Sequence, residues 1–316
     1  MLKIAILDDY QNAAFAAADW DSLPDADVSV FNKYIADEDD LVETLRPFDV
    51  IVAMRERTPF PASLLQQLPE LKLLITTGTR NLAIDMDFAS KRNIPVCGTS
   101  MVPHSTYEHA WALILALAKN IPQENALMHA GGWQAEVSIG LKGKTLGILG
   151  LGRLGAEVAR IGQAFGMQVI AWSQNLTEEK AAEHKVLYVD KETLFRDADI
   201  LSIHLLLSDR TRGLVGTKEL SAMKKSAYLV NTARGPIVDE AALLASLRAR
   251  QIAGAAIDVY DVEPLSSDHP FRELDNLLMT GHTGYVVQEL YELAYGQAVE
   301  NIKAWLSGNP QRVLNA

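Results

Sequence analysis

Leu146-Gly147-Ile148-Leu149-Gly150-Leu151-Gly152-Arg153-Leu154-Gly155 decides the fold of this chain. An apolar run enters a G-x-G-x-x-G spacing, and Val158, Ile161 and Phe165 follow with the period of an amphipathic helix. Strand, glycine turn, helix is the order that holds a dinucleotide's pyrophosphate. Gly150 permits the tight turn. Gly152, without a Cβ, lets the backbone approach the phosphates, and Gly155 lets the helix pack close to the strand. Arg153 and Leu154 complete the turn, where the first helical N–H groups and the positive dipole end face the anion. Glycines alone also mark ordinary turns. The strand before and the helix after are what make this spacing a dinucleotide-binding candidate.

Outward from that motif, two α/β blocks are legible, each opening with a lysine and a short apolar strand: Lys3-Ile4-Ala5-Ile6-Leu7 and Lys144 to Leu149. In the first block, strands are expected at Val28–Val30, Asp49–Ala53, Leu71–Ile75 and Ile94–Cys97, with helices at Asp39–Leu45 and Pro61–Leu68 between them. Ser105–Lys119 reads as a buried apolar helix and Gln123–Gly140 as a polar segment. The second block offers strands at Leu146–Leu149, Val169–Trp172, Ile200–Leu205, Tyr228–Asn231, Ala255–Val259 and Leu277–Thr280, then a terminal helix at Tyr291–Leu306. Alternation of this kind predicts an α/β fold with doubly wound parallel sheets covered by helices.

At 316 residues the chain is long enough for two domains with real cores. Its formal net charge of -11 disfavours nucleic acid and anionic membrane surfaces as partners, so an anionic ligand would need a local positive pocket. The single cysteine, Cys97, excludes an intramolecular disulfide and a cysteine-based metal cluster, and suits the reducing cytoplasm. The N-terminus reads as a first strand rather than a signal peptide, and the best apolar window, Ala110–Ala118, is too short for a membrane span.

Three polar residues stand at the carboxyl ends of successive expected strands, where ligands of open α/β sheets sit. They are Arg234 in Asn231-Thr232-Ala233-Arg234-Gly235, Glu263 before Pro264, and His282 in Thr280-Gly281-His282-Thr283-Gly284. Singly, each has an ordinary reading as a surface pair, a solvated acid or a loop histidine. Three together beside a dinucleotide site point to chemistry.

These segments resemble the D-isomer-specific 2-hydroxyacid dehydrogenases over nearly the whole chain. The resemblance rests on Trp133, on Lys142–Ile148 leading into the glycines, and on His204–Leu207 followed by Thr211-Arg212-Gly213. Asn231–Gly235 through Asp239 and Asp258-Val259 through Glu263-Pro264 complete it. It implies two Rossmann-like or flavodoxin-like lobes with the active-site cleft between them: a discontinuous substrate-binding domain, 1–101 plus 288–316, and an NAD(P)-binding domain, 102–287. It also implies a homodimer, a small 2-oxo or 2-hydroxy acid as substrate, and no metal. His282 would protonate the substrate carbonyl, Glu263 would orient the imidazole and favour its charged form, and Arg234 would clamp the carboxylate. Thr106, Ser173, His204, Thr211, Thr232 and Asp258 would line the cofactor beside the glycine turn. Backbone N–H groups near Thr77, Gly78 and Thr79 would receive the substrate carboxylate. Arg55 and Arg80 would either meet a second substrate anion or form surface salt bridges.

Three departures matter. Gly281 replaces the proline common before the histidine, which loosens the backbone there. Thr76–Asn81 lacks the second glycine of many relatives, which would mark a distinct substrate. No acid follows Trp172 at Ser173 to hold the ribose hydroxyls, yet no arginine stands at Ser173, Gln174 or Asn175 either. NAD and NADP both remain open, with a slight lean to NADP. A non-catalytic dinucleotide-sensing protein of the same fold is the alternative, disfavoured by the presence of all three polar residues. Formate dehydrogenase, which carries glutamine where Glu263 stands, ranks lower. A phosphoglycerate dehydrogenase is expected less, because that enzyme often carries an added regulatory domain after the last helix, though short forms exist.

Overall fold

In the computed structural model, which describes residues 1–315, the β-strands are sorted into two sheets, and every paired neighbour is parallel. The first holds β1 (Leu2–Ile6), β2 (Ala26–Val30), β3 (Val50–Ala53), β4 (Leu73–Thr76) and β5 (Val96–Cys97) in the order β2-β1-β3-β4-β5. The second holds β6 (Thr145–Leu149), β7 (Gln168–Trp172), β8 (Leu187–Tyr188), β9 (Ile200–Ile203), β10 (Tyr228–Asn231), β11 (Gly254–Ile257) and β12 (Leu277–Met279). Their order is β12-β11-β10-β9-β6-β7-β8. Each sheet winds outward in both directions from its first strand, β1 or β6. That is the doubly wound architecture expected from the alternating pattern.

Contacts divide the chain into Met1–Val102 with Val286–Ala316, and Pro103–Tyr285. The sequence suggested breaks at 101/102 and 287/288. The C-terminal helix, Gln288–Leu306, packs within the first unit: Tyr295 meets Trp20 edge-on at 6.1 Å, Tyr291 donates to Gln11 at 2.8 Å, and the buried Asn301 donates to the Gly98 carbonyl at 2.9 Å.

The inner strands of the second sheet, β6, β9, β10 and β11, are buried on both faces, which is why they read as continuous apolar runs rather than alternating ones. Leu149, Leu201, Ile203, Leu229, Ala255 and Ile257 build one core. Leu146, Ile148, Ile200, Val230 and Ala256, their neighbours along the same strands, build another with Trp111 and Val158. In the first unit, Ala5, Leu7, Ile51, Ala53, Leu74 and Val96 pack under Leu41, Leu45, Leu64 and Leu68.

The structure corrects three details. Part of the polar segment Gln123–Gly140 is helical, within Ile121–His129. That helix buries no residue, so it has no apolar stripe to betray it. The expected helix at Pro61–Leu68 is regular only over Ala62–Leu65. The edge strand β8 is two residues long, too short to carry a period, and Leu187 in it is exposed.

Candidate active site

The glycine turn closes β6 in the way its spacing predicts. Gly150 adopts φ +104°, and a Cβ there would lie 2.8 Å from the His204 carbonyl oxygen. A Cβ on Gly155 would lie 2.1 Å from the Gly150 carbonyl oxygen, so helix and turn touch backbone to backbone. Gly152 is the opposite case: nothing lies within 4 Å of its missing Cβ. It is the N-cap of helix Arg153–Ala164, with no side-chain cap bond, so the first N–H groups of a three-turn helix are left for an anion. Arg153, exposed, and Leu154, partly buried, open that helix.

The neighbouring strand ends carry the other candidates. Thr232, after β10, is buried, and its hydroxyl has no hydrogen-bond partner among the described residues. A buried orphan hydroxyl beside an open glycine turn is what a bound ligand would satisfy, so the residues present fit a dinucleotide. His204, after β9, pairs through Nε2 with the Ser202 hydroxyl at 2.8 Å, and burial pushes its imidazole down to about 4. It is therefore neutral at neutral pH. Thr106 lies in the first turn of helix His104–Ala118. Ser173 follows β7 directly and accepts the Leu176 N–H through its carbonyl at 3.0 Å. The Thr211 hydroxyl is engaged locally, accepting the Ser208 N–H at 2.8 Å and donating to the Leu206 carbonyl at 2.7 Å. It shapes its own loop.

Asp258, after β11, is 1% exposed and acts as an anchor. Its Oδ1 accepts the Thr280 hydroxyl at 2.6 Å and the Thr283 N–H at 2.8 Å, and its Oδ2 accepts the Gly284 N–H at 2.8 Å. His109 stands 3.3 Å from Oδ1. Burial alone would raise this carboxyl, but the hydrogen bonds from His109 and Thr280, the His109 charge and the Thr283 N–H together hold it below its ordinary value. Both oxygens being used, Asp258 grips the segment on either side of His282. The sequence placed it against the cofactor; the structure gives its carboxylate to the histidine loop.

Within that grip, His282 takes φ +54°, a left-handed backbone that costs a non-glycine residue about 1–3 kcal/mol. Gly281 has an ordinary φ and open space around it, so the freedom the sequence ascribed to Gly281 is not where the backbone is unusual. His282 Nδ1 lies 2.6 Å from Glu263 Oε2, and the other Glu263 oxygen accepts the Tyr260 N–H at 2.9 Å. The Tyr260 hydroxyl in turn donates to the Thr280 carbonyl at 2.8 Å, and the Tyr285 ring meets the imidazole edge-on at 5.6 Å. The imidazole is thus fixed by a carboxylate that is itself fixed. The His282 and Glu263 side chains stay 27% and 30% exposed, open enough to meet a small molecule.

Arg234 is set by a turn that needs Gly235. A Cβ on Gly235 would fall 2.1 Å from the Tyr260 carbonyl carbon, so only glycine lets this turn lie on the Tyr260 backbone, three residues from Glu263. Asn231 braces the turn, donating to the Arg234 carbonyl at 3.0 Å and accepting the Ala233 N–H at 3.0 Å. Arg234 itself donates to the Ala233 carbonyl at 2.8 Å.

In the first unit, the turn after β4 differs from its expectation. The Thr77 N–H donates to the Ala53 carbonyl at 3.0 Å and the Gly78 N–H to the Thr99 hydroxyl at 2.9 Å. Two of the three N–H groups assigned to a substrate carboxylate are therefore already used. Arg55, at φ +55°, donates its N–H to the Thr77 hydroxyl at 3.0 Å and lays its guanidinium along the turn, 3.5 Å from the Thr77 carbonyl oxygen. Thr79 and Arg80 are exposed. Neither the Arg80 side chain nor the Thr79 N–H has an ion pair or hydrogen bond among the described residues, so a surface salt bridge does not account for Arg80.

One contact between the loops that flank β6 escaped the sequence. Arg210, in the loop after β9, donates through Nε to Gln174 Oε1 at 3.0 Å and through an Nη to Asn175 Oδ1 at 3.4 Å. The partners are 36 residues apart, and only the sheet order, with β6 between β9 and β7, brings the loops together. No local motif could have revealed it. Among the described residues no cluster of three or more potential metal ligands is present, and no helix is long and apolar enough to cross a membrane.

Known proteins agree with this architecture. Residues 111–284 match the family model of the D-isomer specific 2-hydroxyacid dehydrogenase, NAD binding domain. The chain is 38% identical over 301 residues to a glyoxylate reductase of Aeropyrum pernix, covering 92% of this chain and 90% of that one. A phosphoglycerate oxidoreductase structure from Vibrio cholerae superposes with a TM-score of 0.93 at 39% identity, over 98% of this chain and 100% of the other. A D-lactate dehydrogenase from Aquifex aeolicus, complexed with NAD and lactic acid, gives 0.77 at 26%, over 97% and 96%. The chain spans about half the length of the D-3-phosphoglycerate dehydrogenases of Archaeoglobus fulgidus and Bacillus subtilis that it also matches. With the family's nicotinamide-binding domain intact and full-length relatives on both sides, the chain belongs to the D-isomer-specific 2-hydroxyacid dehydrogenases, NAD(P)-dependent oxidoreductases of 2-hydroxy acids.

Proposed function

We propose that the chain reduces short 2-oxo acids to D-2-hydroxy acids with His282 as the proton donor, Glu263 as its positioning partner and Arg234 as the carboxylate clamp. The observation that carries this reading is the 2.6 Å contact between His282 Nδ1 and Glu263. A bound reduced nicotinamide supplies the hydride to the carbonyl carbon. With Nδ1 donating to Glu263, Nε2 is the nitrogen left to exchange a proton with the carbonyl oxygen. Arg234, on its braced turn, offers a planar fork that suits a carboxylate and polarises the adjacent carbonyl. Gly150, Gly152, Arg153, Leu154 and Gly155 receive the pyrophosphate, with Thr232, Thr106, Ser173, His204 and Thr211 around the remainder of the cofactor. In the first unit, the Thr79 N–H, Arg55 and Arg80 are assigned to recognition of anionic substrate.

Similarity to a glyoxylate reductase and to a glycerate dehydrogenase of Methylorubrum extorquens makes glyoxylate and hydroxypyruvate the first substrates to try. The missing acid at Ser173 supports NADPH over NADH. A homodimer is supported by helix Ile121–His129, which buries nothing, and by the exposed Ile121, Met128, Trp133 and Val137 on and after it. The free, buried thiol of Cys97 suits the cytoplasm. The test is a panel of 2-oxo acids followed at 340 nm with each cofactor. Turnover of at least one 2-oxo acid is expected. Tight cofactor binding with no turnover on any member would replace this reading with a dinucleotide sensor.

A further inference from the structure

The chain carries a net charge of -11, so a phosphate bound near the glycine turn must find its cations locally. Arg210, between His204–Leu207 and Thr211, is one such cation. Its two contacts are both with neutral amide oxygens, Gln174 Oε1 and Asn175 Oδ1, which leave its charge uncompensated. Asp209 is next to it in sequence and Glu178 is the nearest acid after Ser173, yet neither pairs with it among the described residues.

The position has a structural meaning. β6 lies between β7 and β9, and Gly150 is tied to the end of β7 by its N–H bond to the Trp172 carbonyl at 2.9 Å. The loop after β7 therefore begins beside the glycine turn, at the place where a dinucleotide's adenosine ribose lies in this fold. That loop presents the Ser173 hydroxyl and two amides, and no carboxylate until Glu178. From the other flank of β6, Arg210 reaches the same two amides. The result is a guanidinium, a hydroxyl and two amides around one loop, a donor-rich set with no acid to repel a phosphate.

We propose that Arg210 is the residue that selects NADPH, by pairing with the 2′-phosphate on the adenosine ribose. This rests on the dinucleotide-binding reading of the glycine turn and goes beyond it, because the cation comes from the loop after β9 and not from the loop after β7. Arginine suits the task through its planar fork, which pairs with phosphate oxygens at two points. Gln174 and Asn175 hold the fork in place and contribute donors of their own through their amide nitrogens. An NADH-preferring relative would need an acid in this loop, and here that acid would compete with the phosphate for Arg210.

The test measures binding, not turnover. Adenosine 2′,5′-bisphosphate and adenosine 5′-monophosphate differ only by the 2′-phosphate. Their affinities for the whole protein, and those of NADPH and NADH, are measured by calorimetry for wild type, Arg210→Ala and Arg210→Lys. Wild type should bind the bisphosphate more tightly, by about tenfold or more, with the margin narrowing as salt rises. Arg210→Ala should erase that margin and leave the monophosphate and NADH within about twofold of wild type, and Arg210→Lys should keep part of it. Equal losses for all four ligands would overturn the proposal and make Arg210 a strap between loops. No change in any ligand would overturn it as well. If wild type bound none of the four, the dinucleotide reading itself would fall, and the proposal with it.

Discussion

The two sheets share one architecture and treat their carboxyl ends in opposite ways. In the second unit, the strand ends leave groups unspent: an open Gly152 at an uncapped helix, an orphan Thr232 hydroxyl, and an Arg210 paired only with amides. In the first unit, the turn after β4 spends most of what it has, with the Thr79 N–H and Arg80 left over among the described residues. Thr77 and Gly78 give their N–H groups to Ala53 and Thr99, and the Asn81 side chain donates to the Arg55 carbonyl and the Thr76 hydroxyl. Two doubly wound parallel sheets of different strand order therefore also differ in what the loops at their carboxyl ends leave free. Unspent polar groups mark the cofactor unit, and satisfied ones mark a turn whose shape is the product.

The largest effect that could break this contrast lies at the glycines. Gly155→Ala puts a Cβ 2.1 Å from the Gly150 carbonyl oxygen, so NADH and NADPH affinity should fall by about a hundredfold or more. Gly98→Ala, whose Cβ would meet the Gly78 carbonyl oxygen at 2.6 Å, should lower the thermal midpoint while leaving cofactor affinity near wild type. Titration of both variants by cofactor fluorescence checks this. Equal losses of affinity would dissolve the distinction between the two turns.

A second effect separates the units by pH. His204 is neutral in the folded protein, with its imidazole down at about 4, and regains an ordinary value near 6.5 when unfolded. Its contribution is therefore complete above about pH 6.5 and is lost as pH falls toward 4, amounting to roughly 3 kcal/mol across that window. His204→Gln should flatten this acid limb in urea unfolding. Cys97, in the first unit, behaves in the opposite sense: burial raises its thiol to about 11. Its contribution is complete below the unfolded value near 9 and is lost as pH rises through 11, so Cys97→Ala should flatten the alkaline limb. An unchanged acid limb in His204→Gln would mean that the imidazole is solvated.

The smallest effect sharpens the comparison most finely. Thr232→Val removes a hydroxyl with no partner, so the ligand-free protein should hold its stability within about 0.5 kcal/mol while cofactor affinity drops several-fold. Thr77→Val removes a hydroxyl that accepts the Arg55 N–H and should cost about 1–3 kcal/mol of stability with cofactor affinity unchanged. Paired unfolding and binding curves distinguish the two signatures.

Much of this was legible in the amino-acid sequence, for identifiable reasons. Strands buried on both faces leave apolar runs, and the glycine turn has a fixed spacing, so both sheets and the phosphate turn could be read directly. Arg234, Glu263 and His282 fall at strand ends, which a linear reading can find. What was hidden depends on three-dimensional neighbours. Arg210 meets Gln174 only because β6 separates their strands. The anchoring of the histidine loop by Asp258 needs hydrogen-bond directions that spacing does not encode. The helix Ile121–His129 has no buried face to give it a period.

The central claim is that the imidazole fixed by Glu263 delivers the proton while the glycine unit binds the cofactor independently. His282→Ala tests it most directly, with kcat on the best 2-oxo acid and cofactor Kd measured side by side. The expected result is a fall in kcat of about two orders of magnitude or more, with Kd within about twofold of wild type. Wild-type kcat in His282→Ala would contradict it.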